Sequence, residues 1–182
     1  MLVTIYTKQG ALLASWNDVF MAIGNLILIS VIFFITGLFE EYGWRGYLLP
    51  RLSKRYNLKR ANFLIGIIVV CYNLPVILIL NLHYGITKAI MYALLQSAVI
   101  FAMNYAFTYL FTLSQNVILP SIMHTLWNNL NLAILGYSYK LLPSQGYIIG
   151  KPQLVNGEGL FGLIFFSIFA IYAYRKFSKA AI

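Results

Sequence analysis

Five long stretches of the chain are almost continuously apolar, and short polar segments separate them. Crossing bilayer hydrocarbon as a helix takes ~20 apolar residues. Runs of that kind extend from about Trp16 to Phe39, Ala61 to Leu82, Thr87 to Leu113, Val117 to Tyr137 and Glu158 to Tyr174. The third is the longest and is expected to tilt; the fifth is short. Residues 1–15 read as a terminal arm or an interfacial piece. Residues 138–157 carry Pro143, Gly146, Gly150, Pro152 and Gly157 and read as a surface loop.

Composition strengthens the membrane reading. Of 182 residues, 61% are hydrophobic, 13 are basic and 4 are acidic. So few charges cannot coat a water-facing surface of this size, which excludes an ordinary soluble globule, a disordered chain and a coiled coil. The expected fold is all-α: one integral-membrane domain over 1–182, a polytopic helix bundle of about five transmembrane helices with a cytoplasm-facing intramembrane cavity. The formal charge of +9 does not point to nucleic acid, because the basic residues cluster beside apolar runs. The expected non-protein partners are membrane lipids. Cys71 is the single cysteine, so no disulfide framework or cysteine zinc site exists; it reads as a small buried apolar residue. No cleavable signal peptide is expected.

Orientation follows from lysine and arginine. Arg45, Arg51, Lys54, Arg55, Lys59 and Arg60 follow the first span, and Arg175, Lys176 and Lys179 follow the last. Five spans place these on one side; Lys8, Lys88, Lys140 and Lys151 fall on the other. The expectation is a prokaryotic plasma-membrane protein with its N-terminus outside and C-terminus in the cytoplasm. Arg51 to Arg60 would then lie against anionic headgroups.

Polar groups inside apolar runs are costly and carry functional hypotheses. Asp18 and Glu158 fall at outer span ends, where a carboxylate reaches water. Glu40 and Glu41 are adjacent at the inner end of the first span. If the helix continues, Glu41 and Arg45 are i,i+4, the favourable order for an ion pair. Two neighbouring carboxylates in a dry cavity resist both being charged, which suits one of them to accept a proton from water. The plainer alternative is an acidic pair capping the span against the basic loop. In the fourth span His124 and Asn128 share a helix face; here the plainer alternative is polar glue between helices, with Asn129 and Asn131. Asn73, followed by Leu74-Pro75, is the third intramembrane polar group. Counted along the helices, Glu40, Glu41, Asn73, His124 and Asn128 are expected to meet in one inward-opening cavity.

These residues carry a resemblance. Glu40-Glu41-Tyr-Gly-Trp-Arg45 and His124-x-x-x-Asn128, in that order on apolar spans, resemble the CPBP intramembrane endopeptidases, also called the CAAX-protease or Abi family. The likeness covers about Phe34 to Asn131. The family's middle motif, Phe-x-x-x-His before Leu-Pro, here reads Val69-x-x-x-Asn73-Leu74-Pro75. The resemblance implies an intramembrane endopeptidase that cleaves a peptide or a prenylated or otherwise lipid-modified protein at the inner leaflet. It implies that Glu40 or Glu41 activates water, that Arg45 orients the pair, and that His124, Asn128 and Asn73 bind the oxyanion. The family includes glutamate-dependent and metal-dependent chemistry. No cofactor is assigned; a divalent metal such as zinc, if held, would take Glu40, Glu41 and His124. The asparagine at 73 keeps open a degenerate member acting as a peptide-binding or bacteriocin-immunity protein. A small transporter subunit is the remote alternative.

Gly157-Glu158-Gly159-Leu160-Phe161-Gly162 fits a dinucleotide fingerprint in letters only, because no strand precedes it. Ser121 lies three residues before His124, but no carboxylate neighbours them in sequence, and Cys71 sits in apolar surroundings. Any hydrolysis is therefore expected to depend on a carboxylate.

Overall fold

A computed structural model describes residues 4–5, 16–135, 148–149 and 157–178, with side-chain surroundings from 27 to 129 and from 157 to 178. Most of the expected loop at 138–157 and of the arm at 1–15 lies outside the described residues, as do the side chains of Asp18 and Asn131. The described chain is helical: α1 (Trp16–Glu41), a π-helical segment (Tyr42–Leu48), α2 (Leu49–Arg55), α3 (Leu58–Asn81), α4 (Ile86–Ser114), α5 (Ile118–Leu135) and α6 (Leu160–Lys176). A two-residue antiparallel bridge pairs β1 (Thr4–Ile5) with β2 (Ile148–Ile149).

Each expected span coincides with a helix. The first differs at its end, where the chain stays helical through Glu41, the π-helical segment and α2. Pro50, in the first turn of α2, fits because no helical hydrogen bond is required of its nitrogen there. Asn57 starts α3 three residues earlier than expected, because its side chain accepts the Arg60 backbone N–H at 2.9 Å. Gly85 makes the turn into α4 at φ 89°, a conformation that excludes most other residues. Among the described residues, three continuous helices (27–55, 58–84 and 86–114) are long and apolar enough to cross a membrane. The helices α5 and α6 have 18 and 17 residues.

The interior and exterior are arranged as lipid requires. Large apolar side chains face outward along the long helices, with Phe39 73% exposed and Ile168 66% exposed. An apolar belt of that extent is not tolerated in water. The polar groups Glu41, Arg45, Asn62, Asn104 and Thr108 are buried instead. The helix α4 is central, packing on α3 and on α6, while α1 packs on α5. Small residues permit this closeness: Ala61, Ala93, Ala102 and Ala106 are buried at the contacts. Two single-residue expectations are corrected. Cys71 is exposed, because it falls on the outward face of α3 rather than in the core. Glu158 is buried, folded in just ahead of α6 rather than reaching water.

Candidate active site

The π-helical segment begins directly after Glu41 and contains Arg45. Such widened turns are rare and concentrate at functional sites. Here the Arg45 guanidinium lies back against Glu41: Nη1 donates to Oε1 at 3.0 Å and stands 3.0 Å from Oε2. The two side chains are 2% and 1% exposed. Arg45 Nε has no hydrogen-bond partner among the described residues, so the buried pair relies on what its other terminal nitrogen meets.

The second guanidinium nitrogen is met by α4. Arg45 Nη2 donates to Asn104 Oδ1 at 2.7 Å and to the Asn104 carbonyl at 3.2 Å. Asn104 Nδ2 in turn donates to Asn62 Oδ1 at 2.9 Å and to the Asn62 carbonyl at 3.0 Å. Thr108 completes the chain with a hydrogen bond to Asn62 Oδ1. The ion pair is thus anchored through two amides to α3 and α4. Phe107 packs between its charged and imidazole neighbours, 5.1 Å from the Arg45 guanidinium and 5.5 Å from the His124 ring.

His124 arrives from α5. Its Nδ1 is 3.5 Å from Glu41 Oε1, and the ring is 15% exposed. That separation exceeds a good hydrogen bond, and Nδ1 has no hydrogen-bond partner among the described residues. Catalytic contacts commonly tighten only when substrate binds. The approach of α5 depends on Gly37, where an added Cβ would lie 3.2 Å from His124 Cβ.

Glu40, Glu41, Arg45, Asn73, Asn104 and His124 line one pocket of ≈ 40 Å³, together with Trp44, Val69, Ile100, Met103 and Phe107. That space admits a few water molecules. Glu40 is half-buried on its wall. Asn73 is also on the wall, with Nδ2 donating to the Val69 carbonyl at 2.8 Å. Asn128 is half-buried and is not among the lining residues. Its neighbour Asn129 ties α5 to α1 through a 2.8 Å bond to Ser30 Oγ. Ser121 is buried with its hydroxyl bonded to the Val117 carbonyl at 2.7 Å, so it is not set up as a nucleophile. His83 is exposed beyond the end of α3, against Tyr84.

The donor set does not fit a zinc ion. Among the described residues no group of three His, Cys, Asp or Glu side chains is arranged to hold a metal. Glu41, a member of the expected set with Glu40 and His124, has both oxygens against a guanidinium, whose charge opposes a cation. Residues missed in the sequence are Asn62, Asn104 and Thr108. Asn104 had a signal, an amide inside the apolar run Ala102-Met103-Asn104-Tyr105. Asn62 and Thr108 had none, because only the packing of α3 on α4 brings them to it.

A helical membrane bundle with an outward apolar belt and a buried Glu–Arg pair facing a histidine is the class that fold and site define. Within it, the family described as type II CAAX prenyl endopeptidase, Rce1-like, matches residues 22–130, so the chain belongs to that family. It is also similar to the CAAX prenyl protease 2 of Methanococcus maripaludis, 29% identical over 113 residues. That match covers 61% of this chain and 42% of the relative, so the chain spans less than half of the relative's length. No solved structure matches it.

Proposed function

We propose that the chain is an intramembrane endopeptidase acting on a prenylated or otherwise lipid-modified peptide at the inner leaflet. The observation that carries this reading is the pocket in which Glu40, Glu41, Asn73 and His124 meet, with Glu41 pinned by Arg45. Membership of the family supports the same substrate class.

The two carboxylates take different parts. Glu41, with both oxygens against Arg45, serves as the anchor that faces His124. Glu40 is the base. It takes a proton from water as the water oxygen adds to the peptide carbonyl carbon, and the carbonyl electron pair moves onto oxygen. Collapse of that tetrahedral species breaks the C–N bond, and the proton on Glu40 passes to the leaving nitrogen. Asn73 retains a second N–H beyond the one given to Val69. Asn73 and His124 stabilise the oxyanion, where one well-aimed donor is worth ~3–4 kcal/mol. No step is assigned to Asn128 or to a metal.

The test is cleavage of a quenched farnesyl-cysteine peptide in proteoliposomes. Glu40→Gln is expected to abolish cleavage, while Cys71→Ala and Ser121→Ala retain most of it. Full cleavage by Glu40→Gln would overturn the mechanism. A second reading rests on Asn73 standing where the family motif has histidine. In it the chain binds peptide, as an immunity protein does, without cutting it. Tight peptide binding with no product from the native chain selects that reading.

A further inference from the structure

A second cleft, of ≈ 390 Å³, opens at the basic end of the bundle and includes none of the pocket residues above. It is built where three helices meet. The first turns of α3 supply Lys59, Arg60 and Phe63, α4 supplies Tyr105, and the last turn of α6 supplies Tyr174; Tyr56 closes it from the α2–α3 connection. The Lys59 ammonium lies 4.3 Å from the centre of the Tyr174 ring.

Three observations point to an anionic, amphipathic ligand. First, neither cation is paired with an acid among the described residues, and no carboxylate lines the cleft. The whole chain has four acids, and Glu40 and Glu41 belong to the other pocket. Second, Tyr105 lines the cleft while its residue as a whole is only 7% exposed. Its ring is fixed by stacking on Phe177 at 6.0 Å. A phenol on the wall of the cleft can donate its hydroxyl to an acceptor placed there. Third, the wall is divided by chemistry: cations and phenols on one part, and Phe63 and Leu64, continuous with the outward apolar belt, on the other. The N-terminus of the 24-residue α3 adds its positive dipole end.

We propose that this cleft binds the phosphate headgroup of an anionic phospholipid. Lys59 and Arg60 meet the phosphate, Tyr105 donates its hydroxyl, and Phe63 and Leu64 lie along the start of an acyl chain. The apolar wall is what separates a lipid from free phosphate, which has nothing to place there.

The full chain in nonionic detergent is titrated with phosphatidylglycerol or phosphatidylcholine, and bound lipid is counted by native mass spectrometry beside the thermal midpoint. One phosphatidylglycerol per chain with a raised midpoint is expected, and phosphatidylcholine should bind at least about tenfold more weakly, because its choline cation brings a like charge beside Lys59 and Arg60. Lys59→Gln/Arg60→Gln should lose about tenfold or more in affinity. Arg51→Gln/Lys54→Gln, the same charge change outside the cleft, should keep it. Tyr105→Phe keeps the stacked ring and tests the hydroxyl alone, so it remains decisive if the double variant misfolds; it should weaken binding severalfold. Equal loss in both double variants, equal binding of the two lipids, or complete competition by inorganic phosphate would overturn the proposal. None of these readouts depends on peptide cleavage.

Discussion

Asn104 decides whether the ion pair at Glu41 is held or merely buried. Its side chain accepts from Arg45 and donates to Asn62, so each end of the amide has a partner. Removing it strands a guanidinium nitrogen on one acceptor and leaves Asn62 short of its donor. Asn104→Ala is expected to cost about 1–3 kcal/mol, the penalty for buried groups that lose partners. Equilibrium unfolding in mixed micelles measures it, and kcat should fall more than KM rises if Arg45 positions the site. Glu41→Ala should be worse, about 3–5 kcal/mol, because it leaves Arg45 buried without its counter-charge. Glu41→Gln/Arg45→Met should recover stability but not cleavage. Recovery of cleavage in that double variant would show that the pair is dispensable.

Helix contacts set the distances that the residues use. The contact of α1 with α5 carries His124 to Glu41, and Gly37 is where the two helices come closest at that level. A methyl group there stands 3.2 Å from His124 Cβ, so the ring must shift by a few tenths of an ångström. Gly37→Ala is therefore expected to slow cleavage by about tenfold or more, since small misplacements of catalytic groups are costly. Gly66 plays the same part between α3 and α4. Its added Cβ would meet the Phe101 ring at 2.8 Å and Asn104 Nδ2 at 3.2 Å. Gly66→Ala should destabilise by about 1–3 kcal/mol through overpacking. Trimming the ring with Phe101→Leu should restore part of that loss; no restoration would place the strain elsewhere.

At the scale of the whole molecule, the outward apolar belt sets the bundle in a bilayer, and the basic residues between 51 and 60 carry the expectation of which end faces the cytoplasm. Cys71, exposed on α3, offers a direct probe. A spin label there should be quenched by oxygen far more than by a water-soluble nickel chelate. The reverse order would place that face of α3 against water. In a Cys71→Ala background, a cysteine introduced by Lys54→Cys should react with an impermeant maleimide only from the cytoplasmic side, and one from Lys88→Cys only from outside. Those positions flank opposite ends of the long helices, beside six basic residues in one case and a single lysine in the other.

Helix positions, the membrane setting and five residues that line the pocket, Glu40, Glu41, Arg45, Asn73 and His124, were legible in the sequence. Helix-length apolar runs and costly polar interruptions are local properties of a chain in lipid. The helical continuation past Glu41 was visible only as the condition under which Glu41 and Arg45 could pair. Its π-helical form was not visible, since the same residues suit an ordinary turn. Asn62 and Thr108 were silent because their role comes from α3 crossing α4, a contact between segments more than forty residues apart. Asn128 shared His124's helix face by spacing, yet sits off the pocket wall. Spacing gives a direction around one helix; how deeply that direction reaches depends on the neighbouring helix. Cys71 and Glu158 were misjudged for the same reason. Hydropathy states how much a residue prefers apolar surroundings, but in a bilayer both the lipid face and the packed face are apolar, and only tertiary packing separates them.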